Sequence, residues 1–194
     1  MSHPNDSLNG APVRSAPRIP PLPEDRWTPE VREIFTIFEG EEARERGSQF
    51  NIMKTLVHHP SLVSRFLAYE HQLLRHPLIP ERVREIIVLR QAWLYRQEYE
   101  WRQHVTIARS IGMSEAEIAA ARQGPDAPLW QPFDRLVLRA TDQMFAGQTI
   151  DDTTWNGLAE VFDHAQMLEL LFTIGTFAMM SWIFNSTKLQ LEEA

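Results

Sequence analysis

The sequence predicts an all-α protein, and three observations carry that reading. Apolar residues recur at helical spacing, most plainly at Val83, Ile86, Ile87, Leu89, Trp93 and Leu94. Start and stop signals alternate along the chain: Thr28-Pro29, Ser114 with Glu117 and Asp163 with Gln166 open helices, and Gly47, Gly112 and Gly124 close them. No stretch pairs period-two alternation with the Gly/Asn turns of a hairpin.

Residues 1–26 read as an extended arm, because Pro4, Pro12, Pro17, Pro20, Pro21 and Pro23 each lack a backbone donor and resist helix. Such an arm is either disordered or laid across a neighbouring subunit. Residues 27–194 read as one helical domain. Thr28, an N-cap followed by proline at the first helical position, predicts a helix through about Arg46 that Gly47 stops. A short helix follows from Asn51 to His59, and another from Ser61 to His76, which Pro77 ends. Pro80 starts the next, whose apolar stripe faces a core, and Tyr95 to Glu98 is a joint before a helix that runs to about Ile111.

Ser114 and Glu117 form a capping box for a helix that runs to Gly124. Further helices are expected from Phe133 to Ala146 and from Asp151 or Asp152 to near Phe162, and Asp163 with Gln166 caps the long final one. Leu170 to Thr187 lacks charge, but Thr173, Gly175, Thr176, Ser181 and Asn185 interrupt it, so a core or interface helix is expected rather than a membrane span.

The chain has 194 residues, enough for one domain, and a formal charge of −7 offers no positive field for nucleic acid or anionic lipid. Cysteine is absent, which excludes disulfides, thiolate metal sites and thiol nucleophiles. No apolar stretch follows a basic start, so a cytoplasmic location is the expectation. Neither the adjacent His58 and His59 nor a single Glu-x3-His pair reaches the ligand count of a metal site, and no metal is assigned.

The chemistry-bearing segment runs from Arg84 to His104. Gln97, Glu100 and His104 stand at i, i+3 and i+7 and share one helix face. A Glu100 carboxylate reaching His104 at i+4 would fix the imidazole tautomer and poise it as a proton donor; the alternative is an ordinary surface pair. Glu85 is either the second half of an acid/base pair or a structural hydrogen-bond partner beneath a pocket. Tyr99, Trp101 and Trp155 would wall an apolar pocket or serve packing alone. Arg84, Arg90 and Arg102 are the cations nearest in sequence for a substrate anion, since Lys54 and Lys188 are the only lysines.

These pieces, with VHHP before a helix, PERVREIIVLR, YEWRQHVTIARSIGMSEAEI, TIDDTTWNGLAEVF and QMLELL, resemble the carboxymuconolactone decarboxylase family and its alkylhydroperoxidase-D-like relatives from roughly Phe50 onward. In the peroxidase branch a glutamate, a CxxC pair and a histidine form a proton relay. By that resemblance Glu85 and His104 correspond to the glutamate and histidine, while Gln97 and Glu100 stand where the cysteines would be. The resemblance implies an alkylhydroperoxidase-D-like helical bundle, a homo-oligomer (trimer or hexamer) and a pocket near the histidine. Without the dithiol, peroxide reduction is not implied.

What remains looks like the decarboxylase branch, which does not itself bring in the substrate; the expected function is a cofactor-independent lyase in aromatic catabolism, acting on a carboxylated lactone or related small ring acid, since the electron pair left by carbon dioxide can delocalise through such a ring. His104 would donate the proton, Glu100 and Glu85 would assist, and Tyr99, Trp101 and Arg90 would bind substrate. Two alternatives stand beside it: another proton-transfer reaction, isomerase or hydrolase, at the same site, and a non-catalytic oligomer that binds a small ligand. A pocket that reaches His104 favours catalysis; a packed, inaccessible His104 favours binding alone.

Overall fold

The computed structural model describes residues 16–192. Ten α-helices make up the fold, and no strand occurs among the described residues. In order they are α1 Pro29–Glu39, α2 Ala43–Arg46, α3 Asn51–Leu56, α4 Pro60–Arg75, α5 Glu81–Leu94, α6 Glu98–Ser110, α7 Glu115–Gln123, α8 Pro132–Gly147, α9 Asp152–Ala159 and α10 His164–Thr187.

The caps explain most of the starts. Thr28 accepts from the Val31 amide, Asp151 from Thr154, and Ser114 with Glu117 and Asp163 with Gln166 form complete capping boxes. One expected helix is two. The segment from Thr28 to Arg46 breaks at Gly40, whose φ of 79° closes α1 and lets the chain turn before α2. The helix expected from Asn51 to His59 ends already at Leu56, and Pro60 opens α4 from its first position.

The post at the centre is α5. Every residue from Val83 to Ala92 is buried, because α6, α7, α8 and α10 surround it, so the expected stripe is a fully enclosed cylinder. Ile86, Ile87 and Leu89 form the main core there with Leu138, Leu158, Leu170 and Ile174. A second cluster joins Val31, Ile34 and Phe35 of α1 to Met53, Val63 and Leu67 of α3 and α4. Tyr99, Met180 and Phe184 form a third, against which Leu189 and Leu191 of the C-terminal segment pack.

The arm is partly described. Residues 1–15 lie outside the described residues, but 16–26 lie along their own domain: Leu22 is buried, its amide donates to the Lys54 carbonyl, and Arg18 donates to Thr187. This part is held on its own domain, where the second cluster supplies the apolar seat of Leu22. By length and composition α10 could cross a membrane, yet 61% of that window is buried within the fold, as expected of a core helix.

Candidate active site

His104 sits on α6 with its ring edge against Phe177 of α10, the ring centroids 5.2 Å apart. Its Nδ1 lies 2.7 Å from Oε2 of Glu85 on α5. A carboxylate acceptor there fixes the proton on Nδ1 and leaves Nε2 as the nitrogen that takes up a proton and, once protonated, gives it away. The other Glu85 oxygen accepts from Arg84 Nε at 2.9 Å, and Glu85 has no exposed surface. Burial alone would raise its pKa, but the His104 and Arg84 charges and hydrogen bonds overcome that and hold it below the usual carboxylate value.

The orienting carboxylate is therefore Glu85, not Glu100. The i+4 spacing places Glu100 on the correct face, but its Oε2 accepts from Ser181 Oγ of α10 at 2.5 Å and turns away from the imidazole. Its Oε1 is buried without a partner. Burial, set against the Ser181 hydrogen bond and helped by the nearby Glu70 charge, pushes the Glu100 carboxyl up to about 8. Glu70 of α4, a residue sequence reasoning missed, is raised by burial to about 7.

These groups border one cavity of about 210 Å³. His104, Glu100, Glu70, Gln103 and Tyr99 supply its polar groups, and the rest is apolar, including Phe38 of α1, Met53 of α3 and Phe177 of α10. Phe50 and Ile107, both lining and both exposed, mark where it meets solvent. His104 is mostly buried yet borders this space, so its imidazole is not packed out of reach.

Other expected binders lie elsewhere. The Arg90 guanidinium grips Asp142 bidentately at 2.6 and 2.9 Å and donates to the carbonyls of Ala121 and Arg122, tying α5 to α7 and α8. A Cβ at Gly124 would stand 2.7 Å from its Nη2, so that glycine is required by space as well as by its φ of 85°. Arg90 is thus structural. Trp101 points away from the cavity, packing edge-on against Trp93, with the Arg122 guanidinium 4.5 Å from its ring centre. Tyr99 does line the cavity.

Arg84 and Arg102 pair with Glu85 and Glu98, and no lysine or arginine lines the cavity among the described residues. Gln97 acts as a cap: its Oε1 accepts from the Tyr99 and Glu100 amides, and its Nε2 donates to Asn185. On α10, Glu169 accepts from the amides of Leu78 and Ile79, and Thr176 pairs with Tyr69, so neither faces this site. His58 bonds the Pro20 carbonyl and takes no part in it.

A buried Glu–His dyad beside a small apolar cavity thus stands on an all-helical scaffold without cysteine, whose fold is alkylhydroperoxidase-D-like. Residues 60–143 match the model of the carboxymuconolactone decarboxylase family. An uncharacterized peroxidase-related protein from Silicibacter sp. TM1040 superposes with a TM-score of 0.76, at 18% identity, over 94% of this chain and 95% of that one. A second, described as an alkylhydroperoxidase AhpD core from Ralstonia eutropha JMP134, gives 0.75 at 18% identity over 92% and 95%. The debrominase Bmp8, solved with 2,3,4-tribromopyrrole, gives 0.70 at 17% identity over 90% and 91%. No curated protein matches the sequence.

Proposed function

We propose that this protein is a cofactor-independent proton-transfer enzyme acting on a small ring compound, with His104 as the proton donor. The observation that carries the reading is the 2.7 Å contact between His104 Nδ1 and the fully buried Glu85, beside a cavity of about 210 Å³ that His104 itself lines. The carboxylate holds the tautomer and steadies the imidazolium; Nε2 exchanges the proton with substrate carbon. The raised Glu100 and Glu70 carboxyls are protonated below about pH 7 and serve as uncharged donors inside the cavity.

The lyase form of this reaction is loss of carbon dioxide from a carboxylated lactone. The electron pair left by the C–C cleavage delocalises through the ring toward the lactone carbonyl, and His104 returns a proton to carbon. Apolar walls without a cation strip water from the departing carboxylate, which raises it in energy more than the dispersed charge that replaces it. Isomerisation of a related ring acid would use the same dyad without the cleavage. The small flat ring seen with the debrominase is of a size this cavity suits.

We also propose that copies of the chain assemble through α10. Leu168, Phe172, Met179 and Trp182 form one exposed apolar stripe along it, with Gly175 in its middle.

The test is a panel of carboxylated lactones and ring acids incubated in D2O, with carbon dioxide release and deuterium incorporation followed together. Turnover should fall by ~10²–10⁴ in His104→Ala, the usual worth of a positioned general acid. An active compound turned over equally by parent and His104→Ala would remove the proposed site.

A further inference from the structure

The cavity wall formed by Tyr99 and Gln103 already holds a carboxylate, the chain's own. Tyr99 Oη donates to Glu192 Oε1 at 2.6 Å, the Asn51 amide donates to the same oxygen at 2.8 Å, and Gln103 Nε2 donates to Oε2 at 3.0 Å. Three uncharged donors from two separate parts of the chain thus converge on both oxygens of one carboxylate. The segment that carries it is held by Asn51 Nδ2, which donates to the carbonyls of Gln190 and Leu191, and by Leu189 and Leu191, which pack against the cluster of Tyr99, Met180 and Phe184. Glu192 and Gln103 are only partly buried, so the outer side of the contact meets solvent.

We propose that this donor set is a carboxylate-recognition site continuous with the cavity, that it takes the carboxylate arm of a small ring acid, and that Glu192 is its internal occupant. Tyr99 and Gln103 stand one helical turn apart on α6 and border the same cavity as His104, so a ring anchored here extends toward the imidazole. Burial and the Glu192 carboxylate hold the Tyr99 phenol well above its ordinary pKa, which keeps it a donor. The anchored carboxylate is not the reacting group; it supplies remote binding energy that positions the ring. Displacing Glu192 exchanges one carboxylate for another, so the site opens only to a ligand that satisfies the same donors. The proposal rests on reading the cavity as the substrate pocket.

Phenylacetate, a ring with a carboxylate arm, and its uncharged analogue phenylacetamide are the probes, with binding read by isothermal titration on the full chain. Glu192→Ala should bind phenylacetate about tenfold or more tightly than the parent, as expected when charge-assisted hydrogen bonds are freed for a ligand. Phenylacetamide should gain much less. Adding Tyr99→Phe and Gln103→Leu should abolish the gain. Glu192→Gln, which keeps the shape of the occupant and so guards against simple loss of folding, should fall between parent and Glu192→Ala. Equal phenylacetate affinity in parent and Glu192→Ala, or a gain that survives Tyr99→Phe and Gln103→Leu, would overturn the proposal. Because the readout is binding, a gain seen without any turnover in D2O would retain this site and reject the proton-transfer reading.

Discussion

His104 and Glu85 lie nineteen residues apart in the chain yet meet across two helices, Nδ1 to Oε2 at 2.7 Å, with the carboxylate sealed from solvent. The contact joins α6 to the central helix α5, so the group proposed to move protons is anchored to the most buried element of the fold. Glu85→Gln should therefore lower both activity and stability. Turnover on any active compound should drop at least about tenfold, because an amide does not fix the imidazole tautomer. Unfolding in urea should show a loss of about 1–3 kcal/mol, since Arg84 then lacks its charged partner. His104→Ala should lose turnover with a smaller change in stability.

The carboxyls of Glu100 and Glu70 give the stability a defined pH dependence. Their folded pKa values, about 8 and about 7, lie above the unfolded value of 4.5, so the folded state holds these protons more tightly. That contribution is complete below the unfolded pKa and is lost as pH rises through the folded values. Parent stability should fall between about pH 5 and about pH 9, and Glu100→Gln should flatten the fall. Chemical denaturation at several pH values checks this; a Glu100→Gln profile parallel to the parent's would refute it.

Arg90 should behave as a structural residue. Arg90→Ala should cost about 1–3 kcal/mol, because it strands the partly exposed Asp142 carboxylate and the Ala121 and Arg122 carbonyls. The pH profile of any activity should be unchanged in the protein that remains folded. Denaturant midpoints and rate profiles on the same samples separate the two effects.

Light scattering at micromolar concentration should give a trimer or hexamer, and Phe172→Asp together with Trp182→Asp should shift it to monomer with its circular dichroism intact. A parent protein that is already monomeric would exclude the α10 stripe as an interface.

Reduction of organic hydroperoxides with a dithiol donor should stay at background. Gln97 caps a helix and Glu100 bonds Ser181 at the positions matched to cysteines, and the chain contains no cysteine.

The helix caps were legible because each is a local exchange between residues three apart, as at Ser114 with Glu117 and Asp163 with Gln166. That certain residues gather in one place was legible too: His104, Glu100, Glu85 and Tyr99 all lie at or beneath the cavity. Who pairs with whom was not. Spacing within α6 proposed Glu100 for His104, whereas the partner comes from another helix whose distance in sequence carries no angular information. Arg90 and Trp101 failed for the same reason, since nearness in sequence did not tell which side of α5 or α6 they face. Glu70 had a readable signal. It falls at helical spacing with Val63, Leu67 and Leu74, so a carboxylate interrupts the apolar stripe of α4.

The Arg90 guanidinium fills the space that any side chain at position 124 would need. Position 124 therefore cannot drift while Arg90 stays. Losing Arg90 does not free it either, because the left-handed backbone at 124 still asks for glycine, and that loss strands Asp142. Arginine at 90 and aspartate at 142 should be inherited as a pair, and glycine at 124 should persist even where that pair has been exchanged.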